Sequence, residues 1–80
     1  MYRPELDALL QRAFQALEDK VKDGPLTDED LRTVFEIHIA PRLQRMGVSE
    51  GFEKRQLEDL IYSKLRDRSK QLNSEHWQRV

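Results

Sequence analysis

The chain of 80 residues has no cysteine, only three glycines and three prolines, and no long apolar run. Without cysteine it can form neither a disulfide framework, nor a thiolate metal site, nor a cysteine nucleophile. Its apolar stretches are far shorter than the roughly 20 residues that span a bilayer, and the first ten residues lack the pattern of a signal peptide. We therefore expect a cytoplasmic protein that makes no membrane contact.

Patterns typical of catalysis and of metal binding are missing as well. The glycines are scattered, so they form no phosphate-binding loop. The two histidines, His38 and His76, lack the HExxH spacing, and the positions three and four residues away from His38 hold no carboxylate. We expect a protein that is not an enzyme and that binds neither a metal nor a cofactor.

Charged residues are abundant but almost cancel, with 14 basic and 15 acidic side chains. Residues 1–40 hold five basic and nine acidic side chains, whereas residues 41–80 hold nine and six. The near-neutral total argues against a dedicated polyanion binder. Two interpretations stay open: the halves complement each other, within the fold or between copies, or the basic half faces an anion.

Apolar residues recur at three- and four-residue spacing in three segments, which is the pattern of amphipathic helices. Two short breaks separate the segments, so sequential helices should lie side by side. We predict an all-α fold, an antiparallel three-helix bundle with helices at about 4–22, 28–46 and 50–72, in one domain of residues 1–80. The side chains expected in its core are Leu6, Leu9, Leu10, Ala13, Phe14, Leu17, Val21, Leu31, Val34, Phe35, Ile39, Leu43, Met46, Phe52, Leu57, Leu60, Ile61 and Leu65.

Several residues mark the ends of these helices. Gly24 is placed where a left-handed residue would end the first helix, and Gly47 is a plausible stop for the second. In the sequence LTDEDL, Thr27 is expected to cap the second helix, and the acidic residues 28–30 suit the positive end of its dipole. For the third helix, Ser49 in the turn of residues 48–52 is the expected cap.

Pro41 lies inside the second helical segment, in FEIHIAPRLQRMG. An interior proline removes one backbone hydrogen bond and crowds the carbonyl four residues earlier. The apolar stripe nevertheless keeps its phase from Ile39 to Leu43. We predict one helix kinked at Ile37 to Pro41, rather than two helices or a strand.

The third segment loses its apolar stripe before its end. Between Leu65 and Leu72 no apolar residue occurs. This pattern indicates that the last part of the helix projects into solvent or onto a partner. Asn73 and Ser74 resemble a stop followed by a cap, so we expect a short terminal helical turn over residues 74–80.

Apolar and aromatic side chains outside the stripes favour protein binding. Ile37 points away from the stripe of the second helix, and Trp77 lies beyond the third, where it could also pack on its own bundle. We predict a small protein–protein interaction module, an adaptor, regulator or inhibitor that acts by stoichiometric binding and forms a homo-oligomer. The candidate partner-binding residues are Ile37, His38, Arg42, Arg45, Tyr62, Arg66, Arg68, Lys70 and Trp77.

Nucleic-acid binding is the alternative. Three helices with a glycine-containing turn before the third have the outline of a helix-turn-helix. Glu50 and Glu53 at the start of the third helix would face phosphates unfavourably, and the connection is longer than in that motif. The basic residues that would carry this function are Lys54, Arg55, Lys64, Arg66, Arg68 and Lys70.

Overall fold

The computed structural model describes residues 3–47 and 51–77, and these residues form an all-α three-helix bundle. Helix α1 spans Arg3–Val21 and helix α4 spans Phe52–Trp77. Between them, α2 (Asp28–Val34) continues through a π-helical segment (Phe35–Ile39) into α3 (Ala40–Arg45). We call residues 28–45 the middle helix, because the three pieces follow one another without a break. The predicted fold class is confirmed.

The middle helix runs antiparallel to its two neighbours, which run parallel to each other. Phe14 lies beside Arg68 and Val21 lies beside Trp77, so α1 and α4 advance in the same direction. The C-terminal part of the middle helix instead lines a pocket with the first half of α1. Sequential helices are therefore antiparallel, as the short breaks predicted.

The core combines one apolar stripe from each helix. Its buried side chains are Leu9, Leu10, Ala13, Leu17, Val21, Leu26, Leu31, Val34, Phe35, Ile39, Leu43, Ile61, Leu65 and Leu72. Leu57 is only partly buried, and Leu60, which we expected in the core, is 47% exposed. The side chain of Phe52 lies outside the described part of the structure. The stripe of α4 is therefore fully buried only from Ile61 onward, and the partly buried Leu57 packs against the core.

Ser69 continues this stripe where the sequence shows no apolar residue. It lies four residues after Leu65 and three before Leu72, and its side chain is only 6% exposed. The Ser69 hydroxyl donates to the backbone carbonyl of Arg66 at 2.9 Å, which satisfies the one polar atom that this residue buries. The expectation that the helix projects away from the bundle after Leu65 is wrong, because the small polar side chain of Ser69 fills the buried position where an apolar one was expected.

Asn73 and Ser74 do not stop α4, which continues to Trp77. The side-chain amide of Asn73 instead accepts from the Leu26 N–H at 2.7 Å and donates to the Leu26 carbonyl at 3.1 Å. Since the amide is engaged by a distant part of the chain, it does not compete for the backbone of its own helix. The prediction of a separate terminal turn is wrong for residues 74–77, and residues 78–80 lie outside the described chain.

Thr27 caps the middle helix as predicted. Its Oγ1 accepts from the Asp30 N–H at 3.3 Å, and the Asp30 carboxylate accepts from the Thr27 N–H at 2.9 Å. This reciprocal pair is a capping box, which satisfies two backbone donors at the helix start. The acidic residues of the first turn add a favourable interaction with the helix dipole.

The two glycines that were expected to end helices, Gly24 and Gly47, adopt different conformations. Gly47 has a φ of 76°, the left-handed conformation expected where the middle helix ends. Gly24 does not adopt a positive φ, so the predicted left-handed end of α1 is wrong. The Val21 carbonyl instead accepts from the Gly24 N–H at 3.3 Å and from the indole N–H of Trp77 at 2.7 Å. The proposed cap Ser49 lies outside the described residues.

The π-helical segment explains how the helix accommodates Pro41. Within it, the Ala40 N–H donates to the carbonyl of Phe35, five residues earlier rather than four. Leu31, Phe35, Ile39 and Leu43 are all buried and are spaced four residues apart. In an ideal α-helix four residues turn through about 400°, so side chains at this spacing shift around the helix by about 40° at each step. A π turn rotates less per residue and offsets that shift. The predicted single helix is confirmed, and its irregularity takes the form of a π turn just before the proline.

Candidate partner-binding groove

A groove runs between α1 and the middle helix. At one end it opens into a pocket of about 230 Å³ between the first half of α1 and α3. The floor of the pocket is apolar and its rim carries charged side chains. The residues that line it are Glu5, Ala8, Leu9, Arg12, Arg42, Arg45 and Met46.

The groove continues toward the other end of α1. A second depression, of about 310 Å³, is lined by Arg12, Gln15, Ala16, Asp19 and His38. Arg12 borders both depressions and so marks their junction. Each depression is lined by one small side chain of α1, Ala8 in the first and Ala16 in the second, about two helical turns apart.

Positive charge dominates the first pocket. Three guanidinium groups surround it, from Arg12, Arg42 and Arg45, against one carboxylate from Glu5. Within residues 3–47 and 51–77, none of these arginines forms an ion pair. The groove therefore offers cationic groups above an apolar floor, an arrangement suited to an apolar side chain with acidic neighbours.

Ile37 lies on the outer side of the middle helix. It is 61% exposed, the highest value among the large hydrophobic side chains that the structure describes. Glu36 beside it and Glu29, eight residues earlier, are exposed as well. Four of the predicted partner-binding residues, Ile37, His38, Arg42 and Arg45, thus share one helix, and the last three line the groove.

Tyr62 has a role inside the bundle. Its ring stacks on that of Phe35 with centroids 4.5 Å apart and an angle of 17° between the planes. Burial raises the pKa of the Tyr62 hydroxyl, the carboxylates of Glu36 and Glu58 raise it further, and the charge of Arg32 opposes them. Tyr62 therefore contributes to the packing of the middle helix against α4.

Arg68 also contacts its own chain. Its guanidinium bonds the Glu18 carboxylate at 2.9 Å and lies 5.4 Å from the centre of the Phe14 ring. These contacts join α4 to α1 through an ion pair and a cation–π interaction. The Arg68 Nε atom is buried and has no hydrogen-bond partner in the described structure. Arg68 is consequently less available to a partner than the sequence suggested.

Trp77 combines an internal contact with a large exposed surface. Its indole N–H donates to the Val21 carbonyl, yet 45% of the residue remains exposed. The alternative that Trp77 packs on its own bundle thus has a specific hydrogen bond in its favour. Arg66 and Lys70, the other two predicted partner-binding residues, are exposed on α4, away from the groove.

No protein-family model, curated protein or solved structure matches this chain. The groove must therefore be interpreted from its own chemistry. Over the described ranges, no three histidine or acidic side chains converge as metal ligands. No helix in the same part of the chain combines the length and the hydropathy needed to cross a membrane.

The basic residues considered for nucleic-acid binding do not form one surface. Arg55, Arg66 and Lys70 are exposed and fall on one side of α4 by helical spacing, but Asp59 lies among them. Lys64 points to a different side, toward α1, where it lines a groove with Asp67. Lys54 is only partly exposed, and Arg68 is in an ion pair. The structure thus divides this set of residues.

Sequence reasoning missed the half of the groove that α1 provides. Ala8 and Arg12 lie beside the buried stripe of α1 and carry no signal of their own. Their four-residue spacing places them on one side of the helix, a signal that could have been used. Which neighbour this side would meet depends on the packing of the three helices, and a single helical pattern does not contain that information.

Proposed function

We propose that this chain is a non-enzymatic protein–protein interaction module that acts by stoichiometric binding and associates with itself. The observation that carries the proposal is Ile37, the most exposed of the large hydrophobic side chains in the described part of the bundle. A single exposed apolar residue is ordinary. Ile37 differs because a basic groove with an apolar floor lies on the same helix.

The energetic argument for association is the burial of this side chain. Burying an exposed isoleucine contributes about 1.5–3 kcal/mol. That gain is largest at the centre of an interface, where surrounding polar contacts exclude water. The exposed arginines and glutamates around Ile37 would form such a polar rim.

Sedimentation velocity over a range of concentrations tests the proposal. We expect a dimer or larger species at micromolar concentration, and Ile37→Lys should shift it toward monomer. Gln56→Lys, at an exposed position of α4, is the matched control and should leave association unchanged. Circular dichroism should show equal helicity for all three proteins. A wild type that stays monomeric at about 1 mM would remove the self-association.

A cytoplasmic location belongs to the same proposal. The high proportion of charged side chains, 36% of the chain, fits a surface that faces water. Cell fractionation with an antibody against the native protein tests it. Recovery in a membrane or secreted fraction would contradict it.

Nucleic-acid binding through α4 has less support, because Asp59 lies among the exposed cations and Arg68 is paired with Glu18. Fluorescence anisotropy with duplex DNA at low salt discriminates the two functions. Binding that weakens linearly on a log–log salt plot, and that is lost when Lys64, Arg66 and Lys70 are changed to Glu, would favour the nucleic-acid function. We expect no such binding.

A further inference from the structure

The pocket between α1 and α3 and the exposed Ile37 both belong to the middle helix. Arg42 and Arg45, on the rim of the pocket, follow Ile37 by five and eight residues in the same helix. At 1.5 Å per residue this places them about 8–12 Å further along the helix axis. A surface of this extent can meet a second copy of itself across a two-fold axis.

The pocket is suited in size to one aliphatic side chain. Its volume of about 230 Å³ lies below the range of roughly 300–1,000 Å³ typical of small-molecule sites. Of its apolar lining residues, Leu9 is buried, Met46 is partly buried and Ala8 is exposed. A branched side chain such as that of Ile37 would find apolar contacts there, beside the exposed arginines.

The charges around the two features are opposite. Arg12, Arg42 and Arg45 surround the pocket, whereas the part of the middle helix before Ile37 exposes two glutamates, Glu29 and Glu36, and one arginine, Arg32, between them. The one acidic group at the pocket, Glu5, leaves an excess of positive charge. Opposite charges across an interface favour the correct partner and its register.

We propose that Ile37 of one copy inserts into the pocket of a second copy, with Glu29 and Glu36 facing Arg42 and Arg45, and that the same contact recurs in the opposite direction. The inference rests on the self-association proposed above and specifies its surface. A two-fold dimer requires a self-complementary patch, which a projecting side chain and a recess on one helix provide. An acidic segment of another protein is the competing occupant.

A charge exchange between two variants tests this contact. Arg42→Glu with Arg45→Glu, and separately Glu29→Lys with Glu36→Lys, should each weaken the dimer about tenfold or more, because like charges then meet at both contacts. Mixed together, the two variants should form a heterodimer near wild-type affinity, since opposite charges meet again. Lys22→Glu with Lys70→Glu, two exposed reversals elsewhere, is the matched control and should change nothing.

A second variant tests the pocket without altering charge. Ala8→Phe, at an exposed position of α1, should fill the pocket and weaken the dimer while the helicity of the monomer stays unchanged. Gln11→Phe, exposed on the side of α1 that faces α4, is its control.

The outcomes distinguish the assigned dimer surface from self-association itself. A wild-type dimer that all of these changes leave intact overturns the assigned surface but leaves self-association standing. A dimer that both reversed variants weaken, but that their mixture does not restore, also overturns the pairing of these charges. A wild type that is monomeric at about 1 mM removes self-association itself.

Discussion

Asn73 of α4 holds both backbone polar groups of Leu26, its Oδ1 2.7 Å from the Leu26 nitrogen and its Nδ2 3.1 Å from the Leu26 carbonyl oxygen. The side-chain amide thereby satisfies the backbone N–H and C=O of one residue, as a neighbouring β-strand would. Leu26 is buried directly before the capping box. The pair fixes the place where the chain turns from α1 into the middle helix.

Asn73→Ala should therefore destabilise the fold. Both backbone groups of Leu26 lose a partner in a partly buried place, and we expect a loss of about 2 kcal/mol. Asn73→Asp should also destabilise, because a carboxylate oxygen would face the Leu26 carbonyl. Urea unfolding followed by circular dichroism measures both, with Ser74→Ala at the exposed neighbouring position as the control. An Asn73→Ala variant as stable as the wild type would contradict this role.

Trp77→Phe removes the indole N–H that the Val21 carbonyl accepts and keeps an aromatic ring in place. We expect a loss of about 1 kcal/mol in unfolding free energy, the usual net value of one hydrogen bond. Thermal unfolding by circular dichroism is the suitable measurement, since Trp77 is the only tryptophan and its fluorescence would be lost. His76→Ala, one residue earlier and exposed, should have little effect. Equal losses in both variants would mean that the bond to Val21 does not matter.

Pro41→Ala restores a backbone donor to the middle helix. The helix already widens into a π turn just before the proline, so we expect a gain of about 1 kcal/mol rather than the roughly 3 kcal/mol typical of an interior proline. Buried Ile39 and Leu43 hold the winding of the helix, and we expect self-association to be unchanged. Thermal unfolding and sedimentation check the two statements, with Gln44→Ala as the surface control. A less stable variant would show that the proline itself supports the π turn.

Tyr62→Phe should alter how stability depends on pH. In the folded chain burial raises the pKa of Tyr62, whereas in the unfolded chain it lies near its ordinary value of about 10. The folded state thus favours the protonated hydroxyl, and this contribution is complete below about pH 9 and is lost as pH rises through the folded pKa. Urea unfolding across the alkaline range should show wild type losing stability relative to Tyr62→Phe. A constant difference would contradict the effect of burial.

Much of the fold follows from sequence periodicity alone. The three helices, the capping box at Thr27 and the stop at Gly47 are local features, and local spacing and cap chemistry determine them. The errors occurred where a distant contact decides. Asn73 looks like a helix stop until its partner Leu26, 47 residues away, is known. Leu60 matches the apolar period but lies where no neighbouring helix covers it.

The candidate groove was predictable only in part. The pattern around Pro41 led to Ile37, His38, Arg42 and Arg45, because an apolar residue off the stripe and nearby cations are visible in one helix. Arg12 and Ala8 were not found, since their role depends on which side of α1 meets α3. Conversely, Tyr62 and Arg68 were assigned to a partner although they contact Phe35 and Glu18. A sequence shows which side chains are unusual but not which of them the fold itself uses.

The apolar stripe of α4 is fully buried only from Ile61 onward. Packing therefore stabilises the second half of this helix more than the first half. Among the described side chains of α4, none before Ile61 is buried, whereas Ile61, Leu65, Ser69 and Leu72 all are. Backbone amides in residues 55–60 should then exchange with deuterated solvent through local fraying, while those beyond Ile61 wait for the whole bundle to open. The helix would begin to unfold from the end opposite to Asn73 and Trp77, so that its second half serves as the anchor on which the first half re-forms.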